Sequence, residues 1–264
     1  MSELNKYTLF ENGIFVDQMT PREDMIDLIQ ELRPVKTQFE LIRLGAEFDG
    51  GYLLPDDLSE IEVCFSPGVD VNASFEIDIK TKYGIESHLA DYSVDLPPME
   101  FKPKSFIKKF IGPVNNNEYI TLSTWIQKSE ELKAKKDLLL QMDIEGGEYL
   151  SILSTPDEII NNFRIIVIEI HNIEDWGHKN YFGVVKNFFN KLTKNFWIVH
   201  NHPNNCCGLV NLGGVIAPRV FELTLLRKDR GVFAGYVDRF PHLLDRPNLK
   251  ERPDLVLPMG WRSL

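Results

Sequence analysis

Three carboxylates follow a strongly apolar run in the middle of the chain. The run 137–142 leads directly into Asp143, Glu145 and Glu148, with two glycines between the glutamates. So much negative charge in one place costs free energy unless a cation, an amino group or solvent offsets it. The two glutamates could instead complement the positive end of a following helix. That explanation does not cover Asp143, so the segment predicts a ligand site.

Glu169 and His171 lie at the end of a second apolar run, 165–170. Because side chains alternate along a strand, both residues fall on the same side of the strand end. With Asp143 they could form a general base, or a metal site of two carboxylates and an imidazole. His171 could also be a hydrogen-bonded residue at a sheet edge. We predict that Asp143, Glu169 and His171 are catalytic, and they are also the candidate metal ligands.

A single glycine and a single aspartate follow two earlier runs. Gly68 lies in a turn between a predicted strand and a helical pattern, where glycine lets the backbone approach a ligand. Asp91 follows the predicted strand 86–90 and comes 23 residues after Gly68. Nucleoside-binding α/β proteins place an acidic residue that holds the ribose diol about 20 residues after the glycine. Asp95 competes for that role. A plain turn and a solvated aspartate are the alternatives.

His200 and His202 end another predicted strand, 196–200. They add hydrogen-bond donors at the same edge of the predicted sheet, and we expect them to contact substrate. A zinc site is not favoured, because no closed set of ligands is recognisable. The cysteines lack C-x-x-C spacing and are predicted to be ordinary reduced thiols: Cys64, Cys206 and Cys207.

These residues need a sheet to bring them together. Apolar runs with β-branched residues predict strands at 61–65, 86–90, 137–142, 165–170, 196–200 and 220–226. Helical patterns lie between or before them, at 72–83, 123–132 and 181–192, and an N-terminal helix starts with Thr20 as N-cap, Pro21 and Glu23. Such alternation predicts a parallel sheet with helices on both faces, whose ligands bind beyond the carboxyl ends of the strands.

The central segments resemble the FkbM-like methyltransferases. Asp143-Ile144-Glu145-Gly146-Gly147-Glu148, with a later strand carrying Glu169, resembles the family pattern (hydrophobic)-K-x-D-(hydrophobic)-E-G-x-E followed by a strand ending in Glu. Arg43-Leu44-Gly45 with Asp49-Gly50-Gly51-Tyr52 resembles an upstream element of related proteins. Gln141 stands where the family usually has lysine, and the glycine-rich first motif is reduced to Ser66-Pro67-Gly68.

The resemblance implies a class I fold: a doubly wound, Rossmann-like, seven-stranded and mostly parallel sheet. It also implies S-adenosylmethionine as cofactor and methyl transfer to a hydroxyl of a sugar or nucleotide-linked sugar, in surface polysaccharide (capsule or O-antigen) or glycosylated natural-product synthesis. The predicted cofactor-binding residues are Tyr52, Ser66, Gly68, Asp91, Tyr92, Asp143 and Glu145. The acceptor hydroxyl needs either His171 as base or a bound Mg²⁺ that acidifies it. Cationic candidates for a diphosphate are Lys102, Lys104, Lys108, Lys109 and Arg219.

Composition narrows the alternatives. A net charge of -10 argues against a nucleic-acid partner, and no run of about 18 apolar residues suggests a membrane span. We expect a cytoplasmic protein, and a homo-oligomer is compatible with the sequence. The predicted organisation is an N-terminal helical extension (1–38), a methyltransferase domain (39–230) and an irregular C-terminal tail packed on that domain (231–264).

Two other functions stay open. A metal-dependent hydrolase could use Asp143, Glu169 and His171 together with His200, because open carboxylate–imidazole sites support such chemistry. A non-catalytic nucleotide-binding module is the second alternative, since a fold does not fix a function. A nucleotide-sugar epimerase or dehydrogenase is disfavoured, because the chain lacks its G-x-x-G-x-x-G motif.

Overall fold

The computed structural model describes residues 3–97, 102–129 and 137–262. The helices are α1 (Glu3–Glu11), α2 (Arg22–Glu31), α3 (Ser74–Tyr83), α4 (Leu122–Ser129), α5 (Glu148–Ser154), α6 (Asp157–Ile160) and α7 (Lys179–Asn195). The strands are β1 (Leu41–Gly45), β2 (Gly51–Pro55), β3 (Val63–Pro67), β4 (Glu86–Ala90), β5 (Ser105–Ile107), β6 (Phe110–Ile111), β7 (Tyr119–Ile120), β8 (Leu138–Met142), β9 (Phe163–Ile170), β10 (Phe196–Pro203), β11 (Leu209–Leu212), β12 (Val215–Pro218) and β13 (Phe221–Arg227).

Seven of the described strands form the main sheet, in the order β10-β13-β9-β8-β3-β4-β5. β13 runs antiparallel to both of its neighbours, and every other pair in this sheet is parallel. This confirms the predicted fold class, an α/β protein with a doubly wound, Rossmann-like and mostly parallel seven-stranded sheet. The chain passes from β3 to β4 and β5 on one side and then returns to β8 on the other. Strand order therefore reverses between β3 and β8, which is where ligands bind in open α/β sheets.

Each central strand is buried on both faces. In β8, Leu138 and Leu140 pack into one hydrophobic cluster with α4, α5 and α7, whereas Leu139 packs into another with α3 and the β1–β2 hairpin. Strands buried on both sides read as continuous apolar runs, which is why these segments were recognisable in the sequence. α2 belongs to the first cluster through Met25 and Leu28.

The N-terminal helix starts differently from the prediction. Pro21 occupies the N-cap position, and no side chain caps the helix. Thr20, the predicted N-cap, is buried, and its hydroxyl donates to the Trp176 carbonyl oxygen at 2.7 Å. The N-cap prediction is therefore wrong, because a tertiary contact takes the hydroxyl. The predicted helix 123–132 corresponds to α4, and its residues 130–132 lie outside the described residues.

The C-terminal segment, residues 228–262, contains no strand and only a short 3-10 helix, Met259–Trp261. Trp261 is buried against Trp176 and Phe221, with ring centroids 6.2 and 5.2 Å apart, which holds this segment on the body of the protein. The domain boundaries stay a prediction. None of the helices described has both the length and the apolar character needed to cross a membrane.

Candidate functional site

A cavity of about 550 Å³ opens at the carboxyl ends of β3, β4 and β8. Its lining includes Asp49, Tyr52, Gly68, Asp91, Gln141 and Asp143. These side chains come from separate parts of the sequence, and the parallel register of the three strands brings them together. The cavity thus lies at the point where strand order reverses.

Gly68 forms the contact between the ends of β3 and β8. Its φ is +86°, and a Cβ atom at this position would lie 1.5 Å from the Asp143 carbonyl oxygen. Its N–H donates to the Ala90 carbonyl oxygen at 2.9 Å, and the Asp143 N–H donates to the Pro67 carbonyl oxygen at 3.2 Å. Glycine is required here by the packing of two strand ends, in addition to lining the cavity.

Asp91 lies at the end of β4 and is only 7% exposed. Its Oδ2 accepts the Asp70 N–H at 2.8 Å, and its Oδ1 accepts the Ser93 N–H and hydroxyl at 2.8 and 2.7 Å. The carboxylate therefore has a fixed orientation on the cavity wall. Asp95, the competing candidate, is exposed and pairs with Lys108.

A chain of buried polar groups forms part of the same wall, with Tyr52, Glu76 and Gln141 in the lining and Ser66 behind them. The Gln141 amide nitrogen donates to the Tyr52 hydroxyl at 3.2 Å, and the Ser66 hydroxyl donates to Gln141 Oε1 at 2.6 Å. Ser66 Oγ also contacts a Glu76 carboxyl oxygen. The Ser66 hydroxyl has one proton for two acceptor oxygens, so with that proton directed at Gln141 the second contact would be made by a proton on Glu76. Burial raises the pKa of Glu76, which agrees with a neutral carboxylic acid.

Two predicted cofactor-binding residues do not line the cavity. Ser66 is fully buried, and its hydroxyl is engaged by Glu76 and Gln141. Tyr92 stacks on Phe110, with ring centroids 4.8 Å apart, and also lies outside the lining. Local packing uses both side chains, and their role in cofactor binding stays a prediction. Tyr52, Gly68, Asp91, Asp143 and Glu145 do line the cavity.

An apolar side of the cavity was missed by sequence reasoning. Phe110, Ile111 and Tyr119 line it, and the two aromatic rings lie 5.3 Å apart. They belong to the two-residue strands β6 and β7, which are too short to show any periodicity. Of the five cationic candidates, Lys109 alone lines the cavity, and its Nζ donates to the carbonyl oxygens of Asn116 and Asn117.

His171 does not itself line the cavity but lies among three carboxylates, two of which, Asp143 and Glu145, do line it. Its Nδ1 is 3.0 Å from Glu148 Oε1, and its Nε2 is 3.5 Å from Glu145 Oε2 and 3.8 Å from Asp143 Oδ1. Glu145 is 86% exposed at its side chain, whereas Glu148 is fully buried. Burial disfavours charge on His171, but the hydrogen bond to Glu148 and the three negative charges outweigh it and raise the pKa of the imidazole.

Asp143 and Glu169 form a hydrogen-bonded carboxyl pair. Burial raises the pKa of Asp143 to about 6, although the bond from Glu169 and the nearby His171 oppose the rise. Burial and the charge of Asp143 raise the pKa of Glu169 well above its usual range, although Asn204 donates to its Oε1 at 2.6 Å. Both shifts favour the neutral form, more strongly at Glu169, and the catalytic role of Glu169 stays a prediction.

Asp143, Glu145 and His171 offer ligand atoms within 4.8 Å of one another, so they could hold a divalent cation. The predicted set had Glu169 in place of Glu145. Glu169 is not in this group because its carboxyl is bonded to Asp143 and Asn204. Asp143 Oδ1 is buried without a hydrogen-bond partner among the described atoms.

His200 and His202 do not reach the cavity. His200 Nε2 lies 2.8 Å from Asp245 Oδ1, and His202 Nε2 lies 3.1 Å from Asp254 Oδ1. Both imidazoles are buried under the C-terminal segment. These side chains anchor that segment, and the expected contact with substrate stays a prediction. His200 is also separated from the cluster proposed for a hydrolase.

Comparisons with known proteins gave one weak structural match worth stating. No protein-family profile and no curated protein matches the chain. A solved structure from Streptococcus pneumoniae, assigned as a tRNA (m1A22) methyltransferase, is 11% identical with a TM-score of 0.27. The match covers 65% of this chain and 66% of that one, just under two thirds of its length. Similarity at this level says nothing about activity, so function is argued from the cavity itself.

Proposed function

We propose that this protein is an S-adenosylmethionine-dependent O-methyltransferase acting on a sugar hydroxyl. The observation that carries the proposal is the cavity at the reversal of strand order, with Gly68, Asp91 and Asp143 at the ends of its three strands. Ligands of open α/β sheets bind at this point, and an acidic residue at the second strand end suits a ribose. The FkbM-like pattern around Asp143 supports the same assignment.

The cavity and the residues that line it fit the cofactor. The volume of about 550 Å³ lies within the range of small-molecule sites. Asp91 would accept the ribose hydroxyls, and Phe110, Ile111 and Tyr119 would cover an apolar base. The carboxylate of Asp143 would face the positively charged methionine end. When bound, the cofactor would supply an electrophilic methyl group.

A neutral sugar suits the remaining lining better than a nucleotide-linked sugar. Asp49, Asp70, Asn72 and Glu145 offer acceptors for hydroxyl groups. Among the described lining residues the only cation is Lys109, whose Nζ already donates to two carbonyl oxygens. A diphosphate would therefore lack the cationic partners that such groups usually have. The hydroxyl acceptors favour the sugar itself.

Methyl transfer needs positioning and removal of a proton. Holding the acceptor oxygen about 3 to 3.5 Å from the methyl carbon supplies a large part of the rate enhancement. His171 Nε2, beside Asp143 and Glu145 on the cavity wall, would take the hydroxyl proton, which contributes typically ~10²- to 10⁴-fold. A Mg²⁺ ion on Asp143, Glu145 and His171 would be the other route to an acidified hydroxyl.

Calorimetric titration with S-adenosylhomocysteine tests cofactor binding. We expect micromolar affinity in wild type and about 10- to 100-fold weaker binding in Asp91→Asn and Asp91→Ala, the loss of charged hydrogen bonds. Asp95→Ala is the matched control, because Asp95 is an exposed aspartate in the same loop and lies off the cavity. Absence of binding by wild type, with and without Mg²⁺, would contradict the proposal and favour a hydrolase or a binding module.

An acceptor assay tests the second half of the proposal. Radiolabelled methyl transfer is measured with neutral sugars, nucleotide-linked sugars and tRNA as acceptors, each with Mg²⁺ and with a chelator. We expect transfer to neutral sugars above all. Preferred transfer to tRNA or to nucleotide-linked sugars would overturn the acceptor class while leaving the cofactor assignment intact, and loss of transfer with the chelator would favour the Mg²⁺ route.

A further inference from the structure

Glu148 is a buried carboxylate with more partners than a helix start needs. It is the first residue of α5 and is fully buried. Its Oε1 accepts the N–H groups of Ile144 and Gly146 at 3.1 and 3.2 Å, and it lies 3.0 Å from His171 Nδ1. The two backbone bonds fix the carboxylate within the turn that precedes α5.

The backbone of His171 is fixed independently. The Tyr149 hydroxyl donates to the His171 carbonyl oxygen at 2.9 Å, and the Trp176 indole N–H donates to the Tyr149 hydroxyl at 2.9 Å. Tyr149 and Trp176 are both fully buried. The imidazole ring is therefore held between a rigid backbone on one side and the Glu148 carboxylate on the other.

The contact with Glu148 decides which ring nitrogen carries the proton. A carboxylate only accepts hydrogen bonds, so Nδ1 must be the protonated nitrogen of a neutral ring. The lone pair is then on Nε2, which faces Asp143 and Glu145 on the cavity wall. The nitrogen nearest the cavity is thus the basic one.

We propose that Glu148 is a positioning residue that holds His171 in the Nδ1–H tautomer, with Nε2 directed at the cavity as the proton acceptor. The role in catalysis rests on the proposed function, whereas the tautomer is a property of the protein alone. In the reaction the acceptor O–H bond breaks and its proton moves to Nε2. When bound, S-adenosylmethionine would supply the methyl group to the acceptor oxygen and leave as the neutral thioether, while His171 would be left as an imidazolium facing Glu148.

Nitrogen NMR of ¹⁵N-histidine-labelled wild type tests the tautomer directly. The His171 signals are identified by their loss in His171→Gln. At a pH where the ring is neutral, we expect Nδ1 protonated and Nε2 unprotonated. A predominant Nε2–H tautomer would overturn the proposal whether or not the protein binds S-adenosylhomocysteine, so this result is independent of the proposed function.

Glu148→Gln tests the consequence for catalysis, because it keeps the shape and removes the charge. We expect kcat to fall about 10- to 100-fold, as for loss of a partner that orients a functional histidine, with KM and the affinity for S-adenosylhomocysteine within threefold of wild type. Glu158→Gln is the matched control, since Glu158 is an exposed acidic residue in the first turn of α6. An unchanged kcat, or a KM that rises as much as kcat falls, would contradict the positioning role.

Discussion

Two groups of polar residues lie at the carboxyl edge of the same sheet, and they differ in what satisfies them. The cavity group, Asp91, Gln141 and Asp143, lines an open volume at the ends of β4 and β8. The rim group, His200, His202 and Glu222, lies at the ends of β10 and β13 and is covered by the C-terminal segment. Both groups have the residue types expected of a site. The cavity group alone lines a space for a ligand.

The partners of the rim group explain the difference. Asp245, Asn248 and Asp254 of the C-terminal segment bond to His200, Glu222 and His202 respectively. Buried polar groups must find hydrogen-bond partners, and a later segment of the same chain can supply them as well as a substrate can. Polar residues at strand ends therefore indicate a site only when the fold leaves a volume in front of them.

The largest expected loss of stability comes from a backbone position in the cavity wall, because two strand ends are in contact there. Gly68→Ala would place Cβ 1.5 Å from the Asp143 carbonyl oxygen at a φ of +86°. We expect a loss of about 3 kcal/mol or more in the free energy of unfolding, from overpacking and left-handed strain. Urea denaturation measures it, and calorimetry should show that binding of S-adenosylhomocysteine is lost as well.

Gly84→Ala separates the two causes. Gly84 has a φ of +73°, but a Cβ there has no neighbour within 4 Å. This variant should lose only about 1 kcal/mol, the left-handed strain, and should bind S-adenosylhomocysteine normally. Equal losses in both variants would mean that the contact between the ends of β3 and β8 contributes nothing beyond backbone strain.

Substitution of a side chain that bonds to the rim group should lower stability and leave ligand binding in the cavity unchanged. Asp245 is 3% exposed at its side chain, bonds to His200 and accepts the His242 N–H at 2.7 Å. We expect the free energy of unfolding of Asp245→Ala to be about 2 to 3 kcal/mol lower than that of wild type, because hydrogen bonds to charged groups are lost. Limited proteolysis should then cleave the C-terminal segment faster, while affinity for S-adenosylhomocysteine stays within threefold.

Asp238→Ala is the control for that variant. Asp238 pairs with Lys36 at 2.9 Å but is 79% exposed, and pairs this exposed contribute little to stability. Its proteolysis should match wild type. If Asp245→Ala weakened binding of S-adenosylhomocysteine as strongly as Asp91→Ala, the rim and the cavity would be one site rather than two.

The sequence predicted the main sheet and the three residues at its strand ends that line the cavity, because both depend on local patterns. β8 is a continuous apolar run since it is buried on both faces, and the parallel arrangement then places Gly68, Asp91 and Asp143 at one edge. β5 has three half-buried residues and gave no pattern. Phe110 and Tyr119 were missed for the same reason, since their strands have two residues each.

The rim could not be predicted, because its contacts join distant residues. His200 and Asp245 are 45 residues apart, and His202 and Asp254 are 52 apart. No local pattern distinguishes a histidine that will bind substrate from one that will anchor a later segment. Glu169 illustrates the same limit: the sequence placed it near Asp143, but only the tertiary structure shows that its carboxyl contacts both Asp143 and Asn204.

The smallest expected effect concerns Glu76, a buried acid in the cavity wall. Burial raises its pKa, so the folded protein holds this proton at a pH where the unfolded chain has released it. The folded state binds more protons, and stability therefore falls as pH rises from the unfolded pKa through the raised folded pKa. Glu76→Gln is neutral throughout and should lack this fall, so its stability relative to wild type should increase with pH.

Urea denaturation between about pH 5 and pH 8 measures the slope. Glu86→Gln is the control, because Glu86 is 41% exposed in a surface pair with Lys80 and should follow the wild-type curve. A Glu76→Gln curve parallel to wild type would mean that Glu76 is ionised in the folded protein. The Ser66 hydroxyl would then have to donate to Glu76, Gln141 would lose that donor, and the cavity wall would be charged where the present geometry makes it neutral.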